Sequence, residues 1–180
     1  MSERMLWFER KFNFDLPVWM FPNVLERLRG TPVRIEERVR AFPREILNVR
    51  DGDAWSMQEH AGHLLDLEPL GFARLEDYLA RREVLRPADV ENRKTHEARH
   101  NERPIEEILD ALRRERDEFV RRLEAVDEEF IRREALHPRL QKPMRLLDLL
   151  FFIAEHDDHH IAHMTRLGRK MSDARQAHGS

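Results

Sequence analysis

The 180-residue chain contains no cysteine. That removes disulfides, thiolate metal ligands and a cysteine nucleophile at once. Any metal ion must therefore be held by His, Asp, Glu or water. Glycine is scarce at six residues, and beyond residue 20 the apolar positions recur at helical rather than alternating spacing. Long hydrophobic runs are missing. The longest, Leu146 to Ala154, is interrupted by Asp148 and falls far short of the roughly 20 residues of a membrane span. The opening M-S-E-R-M-L-W-F-E-R-K carries a charge every few residues and lacks the apolar core of a signal peptide. The expectation is a soluble, cytoplasmic protein with no membrane partner. Lysine is also rare (Lys11, Lys94, Lys142, Lys170), so nearly all positive charge is arginine. A net charge of −3 and a pI near 6.4 leave no basic stripe, and nucleic acid is not an expected partner.

Charged residues make up 37% of the chain with both signs interleaved, the pattern of solvated helix faces rather than of a charged tail. The first 21 residues are densely aromatic (Trp7, Phe8, Phe12, Phe14, Trp19, Phe21) and predict an arm packed on the domain or on a second subunit. A helix is expected over 22–41, broken at Gly30-Thr31-Pro32, where Thr31 suits an N-cap and Pro32 the first helical position. Ser56-Met57-Gln58-Glu59 is a capping box opening a second helix toward Arg82, with Pro69 predicting a kink or break. Residues 83–102 form a long polar connection, read mainly as a solvated crossover. His96, His100 and the nearby Arg93, Arg99 and Arg103 offer a second reading, the mouth of a site for an anionic substrate. A third helix runs from Pro104 to about Ala125. After a His137-Pro138 loop, Pro143 opens a fourth, expected to end near Gly168. Together these predict an all-α four-helix bundle with one long crossover, a single domain over 1–171 and a disordered tail over 172–180.

Six of the ten histidines fall in two clusters: His60 with His63, and His156, His159, His160 with His163. At about 100° per residue, His156, His160 and His163 share the centre of the apolar stripe of the fourth helix, with His159 on its edge. Asp157 and Asp158 fall on the polar side. Unpaired imidazole nitrogens in a core cost about 1–3 kcal/mol each. A transition metal removes that cost, since neutral imidazole is a good ligand for zinc, nickel, copper or iron. In the second helix both His60 and His63 face inward, and periodicity does not choose between them. Glu59, one turn before His63, is a candidate acceptor for a ligating ring, although the capping box already accounts for it.

W-S-M-Q-E-H-A-G-H-L (Trp55 to Leu64), followed by A-E-H-D-D-H-H-I-A-H (Ala154 to His163), resembles the DinB-like (DinB/YfiT-like) metalloenzyme family. The resemblance covers most of the chain and implies a four-helix bundle with His63, His156 and His160 as metal ligands. His163 departs from the family pattern and is left as a fourth ligand, a substrate-side acid/base group or a simple substitute, with Glu59, His60 and His159 as supporting groups around the site. The implied cofactor is a divalent transition-metal ion, zinc or nickel foremost. The implied function is metal-dependent hydrolysis, or transfer to a low-molecular-weight thiol, acting on a small molecule, in a chain that pairs as a homodimer. A non-catalytic, stress-associated metal-binding protein is the alternative. A third reading, His156-Asp157-x-x-His160 as a variant protease helix, is weak because Asp reaches less far than Glu.

Overall fold

The capping box at Ser56 forms as the spacing requires. Its hydroxyl accepts from the Glu59 amide at 3.1 Å, and the Glu59 carboxylate accepts from the Ser56 amide at 2.9 Å. This fixes the start of α2 (Met57–Leu79), one of four long helices in the computed structural model, which describes residues 6–178. The others are α1 (Phe21–Arg40), α4 (Ile105–Glu124) and α6 (Leu146–His178); two short helices, α3 (Arg93–Glu97) and α5 (Glu128–Ile131), lie in connections. α1 and α2 each pack against both α4 and α6. The chain thus forms the expected four-helix bundle with a long crossover between α2 and α4.

A hairpin is added to the all-α expectation, β1 (Glu134–His137) and β2 (Lys142–Arg145), antiparallel with Glu134 opposite Arg145. Pro143 sits in this edge ribbon rather than opening the last helix, because a two-stranded ribbon leaves its amide without a required partner. The helix begins at Leu146, where Asp148 accepts from the Arg145 amide at 3.0 Å.

Three further expectations are corrected. α1 continues through Gly30-Thr31-Pro32. Pro32 cannot donate to the Leu28 carbonyl one turn back, and Arg116 from α4 donates to it instead at 3.1 Å. Of the kink or break expected at Pro69, the break is absent, since α2 runs through that position. α6 does not stop at Gly168 but continues to His178, so Ser172 to His178 are helical; Gly179 and Ser180 lie outside the described residues. Gly168 serves close packing: a Cβ there would lie 2.5 Å from the Phe42 ring.

The apolar core is in two parts. One gathers Leu28, Leu75, Phe119, Leu147 and their neighbours, the other Ile35, Ala61, Leu112, Leu167 and theirs. Between them each long helix contributes a buried polar residue: Thr31, Glu68, Arg116 and Asp157. Arg116 donates to Glu68 at 2.6 Å and to Asp157 at 2.6 Å, and Thr31 donates to Asp157 at 2.8 Å. Asp157 is 1% exposed, which corrects its assignment to the polar side of the last helix. The aromatic arm packs on this domain. Trp7, Phe12, Phe14 and Leu16 lie on the first core, and Arg145 and Lys142 hold the Leu16 and Phe12 carbonyls.

A histidine cluster on the wall of a cavity

The polar layer places the histidines. One turn N-terminal to Glu68 on α2, and flanking Asp157 on α6, the bundle brings His63, His156 and His160 together, one ligand atom of each within 4.8 Å of the others. The Nε2 atoms of His156 and His160 are 3.1 Å apart. Two lone pairs cannot face each other at that distance, so a proton or a cation belongs between them. Burial pushes His63 down to about 4, with the nearby His100 and His96 adding to the effect and Asp66 opposing it. Burial, followed by mutual repulsion among the histidines, holds His156 and His160 well below the ordinary imidazole value. All three rings are therefore neutral at neutral pH, the state in which imidazole binds metal. Three such imidazole donors are the kind of set that would hold a divalent transition-metal ion.

Hydrogen bonds orient these rings. His63 Nδ1 meets Thr95 Oγ1 at 3.0 Å, which leaves Nε2 for the cluster. Thr95, buried on α3, in turn bonds Asp66, and Asp66 Oδ2 receives His100 Nε2 at 2.7 Å. Burial alone would raise the Asp66 carboxyl, but these two hydrogen bonds and the Lys94 charge hold it below its usual value. His160 Nδ1 lies 2.8 Å from His60 Nδ1. His60 thus takes the supporting place at His160, and His63 sits with the converging donors. Glu59 does not support His63; its carboxylate is engaged by Ser56 and Arg50. His163 is stacked on His60 at 5.2 Å and is not among the three converging donors. His159 lies on the cavity side, 5.5 Å from the Trp7 ring.

Sequence reasoning missed Thr95 and Asp66, and it offered His100 only as part of a pocket mouth rather than as a partner of Asp66. Asp66 was within reach, three residues from His63 on the same helix face. Thr95 and His100 lie in the crossover, which is not merely solvated: both are buried, while His96 is exposed. Gly62 makes room for His100, whose ring a Cβ at that position would meet at 2.2 Å. Trp55 packs on His63 at 4.7 Å and Trp7 on His156 at 4.8 Å, so the arm forms part of the site.

The three rings line a cavity of about 600 Å³, whose walls are largely apolar and run from Trp55 past Leu67 and Phe152 to the β1–β2 turn. A helical bundle with a histidine cluster open to such a cavity is the class that fold and site define. The chain belongs to the DinB superfamily, whose pattern matches residues 27–164. Among solved structures it is similar to YfiT from Bacillus subtilis, described as a probable metal-dependent hydrolase with an unusual four-helix bundle topology. The likeness covers 91% of this chain and 94% of that one at 22% identity, with a TM-score of 0.77. It is also similar to the mycothiol-dependent maleylpyruvate isomerase, over 84% of this chain and 62% of that one at 11% identity, with a TM-score of 0.64. No curated protein matches the chain. Among the described residues no helix is long and apolar enough to cross a membrane.

Proposed function

We propose that this chain is a metal-dependent enzyme acting on a small molecule, with His63, His156 and His160 holding one divalent transition-metal ion, zinc or nickel. The observation that carries this reading is the convergence of three neutral imidazoles on the wall of a cavity large enough for a substrate. Three protein donors leave a coordination position open, the arrangement of catalytic rather than structural sites. A bound ion supplies Lewis acidity to an electrophile and lowers the pKa of a nucleophile beside it. The chain's own groups do the rest. Thr95 and His60 fix the tautomers and orientation of His63 and His160. Trp7, Trp55 and Phe152 give the cavity apolar walls, and His159, which lines it beside them, is a candidate to exchange a proton with the substrate.

The reaction class is hydrolysis or transfer to a low-molecular-weight thiol; with no cysteine in the chain, such a thiol must be a cosubstrate. The similar folds of a probable metal-dependent hydrolase and a mycothiol-dependent isomerase support a reading of this kind. The test is turnover by protein loaded with one equivalent of zinc or nickel, on ester, amide, phosphoester and thiol–electrophile panels. We expect activity in one panel that chelation removes and metal restores. Loaded protein inactive in all of them would instead support a non-catalytic metal-binding role.

Thr95→Val supplies a second test. Valine keeps the shape but removes the acceptor at His63 Nδ1, and partners of this kind are worth about 10–100-fold in metal affinity. Competition with a fluorescent chelator should show a loss in that range with unchanged circular dichroism. An unaltered affinity would mean that Thr95 does not orient the ligand.

A further inference from the structure

The cavity that passes the histidines also reaches Arg74, His137 and Arg139, where two buried side-chain nitrogens have no hydrogen-bond partner. His63, Leu67, Leu70, Gly71 and Arg74 all line it from α2. Eleven residues at about 100° each return Arg74 to the face of His63, about 16 Å further along the axis. Arg74 is 4% exposed. Its Nε donates to the Arg86 carbonyl at 3.1 Å, while Nη2 is buried with no hydrogen-bond partner. The nearest counter-ion along the helix, Asp77, is already committed to the amide and guanidinium of Arg86 and to Arg82.

The β1–β2 hairpin brings two more groups to the cavity, His137 and Arg139. His137 Nδ1 accepts from the Leu140 amide at 3.2 Å. Burial, then the charges of Arg74 and Arg139, push this imidazole down to about 4, so it is neutral. Its proton is therefore on Nε2, a buried donor that has no acceptor. The Arg139 guanidinium lies over the Phe8 ring at 5.0 Å and the Phe152 ring at 5.6 Å, and burial lowers it with no carboxylate acting on it among the described residues. The acidic residues that do line the cavity are engaged elsewhere. Glu68 and Asp157 pair with Arg116, and Asp89 accepts from the Glu91 and Arg93 amides. A buried guanidinium, a partly buried one and a buried imidazole N–H thus face a largely apolar space, and the carboxylate charge acting on Arg74 is that of Asp77, which it shares with Arg86 and Arg82. Buried charge persists at such cost only where something pairs with it, and a planar carboxylate matches the guanidinium fork.

We propose that Arg74, His137 and Arg139 form an oxyanion subsite that receives the carboxylate of a substrate whose apolar body lies along Leu67, Leu70 and Phe152. The subsite stands on its own geometry; only the placing of the reacting end at the histidines rests on the function proposed above. The substrate class is then a small carboxylic acid with the reacting bond remote from the acid group.

Isothermal titration with 3-phenylpropionate and its neutral amide, 3-phenylpropanamide, tests this on metal-loaded and on chelator-treated protein. The acid should bind at least about tenfold more tightly in both states, as expected for charge-assisted pairing in a desolvated site. Arg74→Gln and Arg139→Gln should each abolish that preference without changing metal content, and His160→Ala should keep it. Arg139 is half-exposed and rests on ring faces, so its variant reads the subsite even if Arg74→Gln fails to fold. Equal affinity for acid and amide in the unmodified protein, absence of binding by both, or a preference that survives Arg139→Gln would overturn the proposal. So would a preference that vanishes with the metal, which would place the carboxylate on the ion. A protein that takes up no metal yet prefers the acid would keep the subsite and discard the proposed function.

Discussion

Replacing Arg116 with alanine should cost about 3–5 kcal/mol, the typical loss when one partner of a buried ion pair is removed. The guanidinium is 2% exposed and bonds to three of the four long helices' polar groups or carbonyls from its own seat on α4. Its loss strands two carboxylates, Glu68 and Asp157, between the two apolar clusters and frees the Leu28 carbonyl that Pro32 cannot serve. Against a total stability of about 5–15 kcal/mol, this is a large fraction. For a domain of this size it corresponds to a fall of roughly 6–20 °C in Tm. Thermal melting followed at 222 nm reads it directly. A variant that melts within 2 °C of the parent would show that the charged layer does not tie the bundle together.

His160→Ala should reduce zinc affinity by more than the loss of an orienting partner does, on the order of 1000-fold against the 10–100-fold of such partners. His160 is the hinge of the cluster: one nitrogen meets His156 and the other meets His60. His63→Ala should match it, since it removes the only donor of the three from α2. His163→Ala should stay within about tenfold of the parent, because that ring stacks behind His60 rather than joining the three donors. Chelator-competition titrations of the three variants make the comparison. Were His163→Ala as damaging as His160→Ala, the three-donor set would be wrong.

How far these features could be read in advance varied with their physical origin. The four long helices and the crossover were legible because 3.6-residue periodicity and a capping box are local signals. The same periodicity set the histidines on the inner face of α6. It also held a signal that went unread: Arg116 follows Leu112 by four residues on the apolar face of α4, where a charge demands buried partners. Asp157, adjacent in sequence to His156, was assigned outward on a helical wheel, yet its carboxylate is drawn in by that arginine. Pro32 predicted a break because its remedy, a guanidinium from another helix, is a tertiary contact. Thr95 and His100 lie in a connection without periodicity, so nothing local shows that either side chain is buried. The hairpin over 134–145 is short and carries Pro143, which reads as a helix start unless the pairing of Glu134 with Arg145 is known.

Elemental analysis of the purified, tag-free protein beside His63→Ala and His160→Ala tests the central claim most directly. The arrangement of His63, His156 and His160 predicts close to one equivalent of zinc, nickel or another divalent transition metal per chain, absent from both variants while their helical content is retained. A parent protein that carries no metal and takes up none on incubation with zinc or nickel would contradict it, leaving the histidine cluster as a hydrogen-bonded polar core.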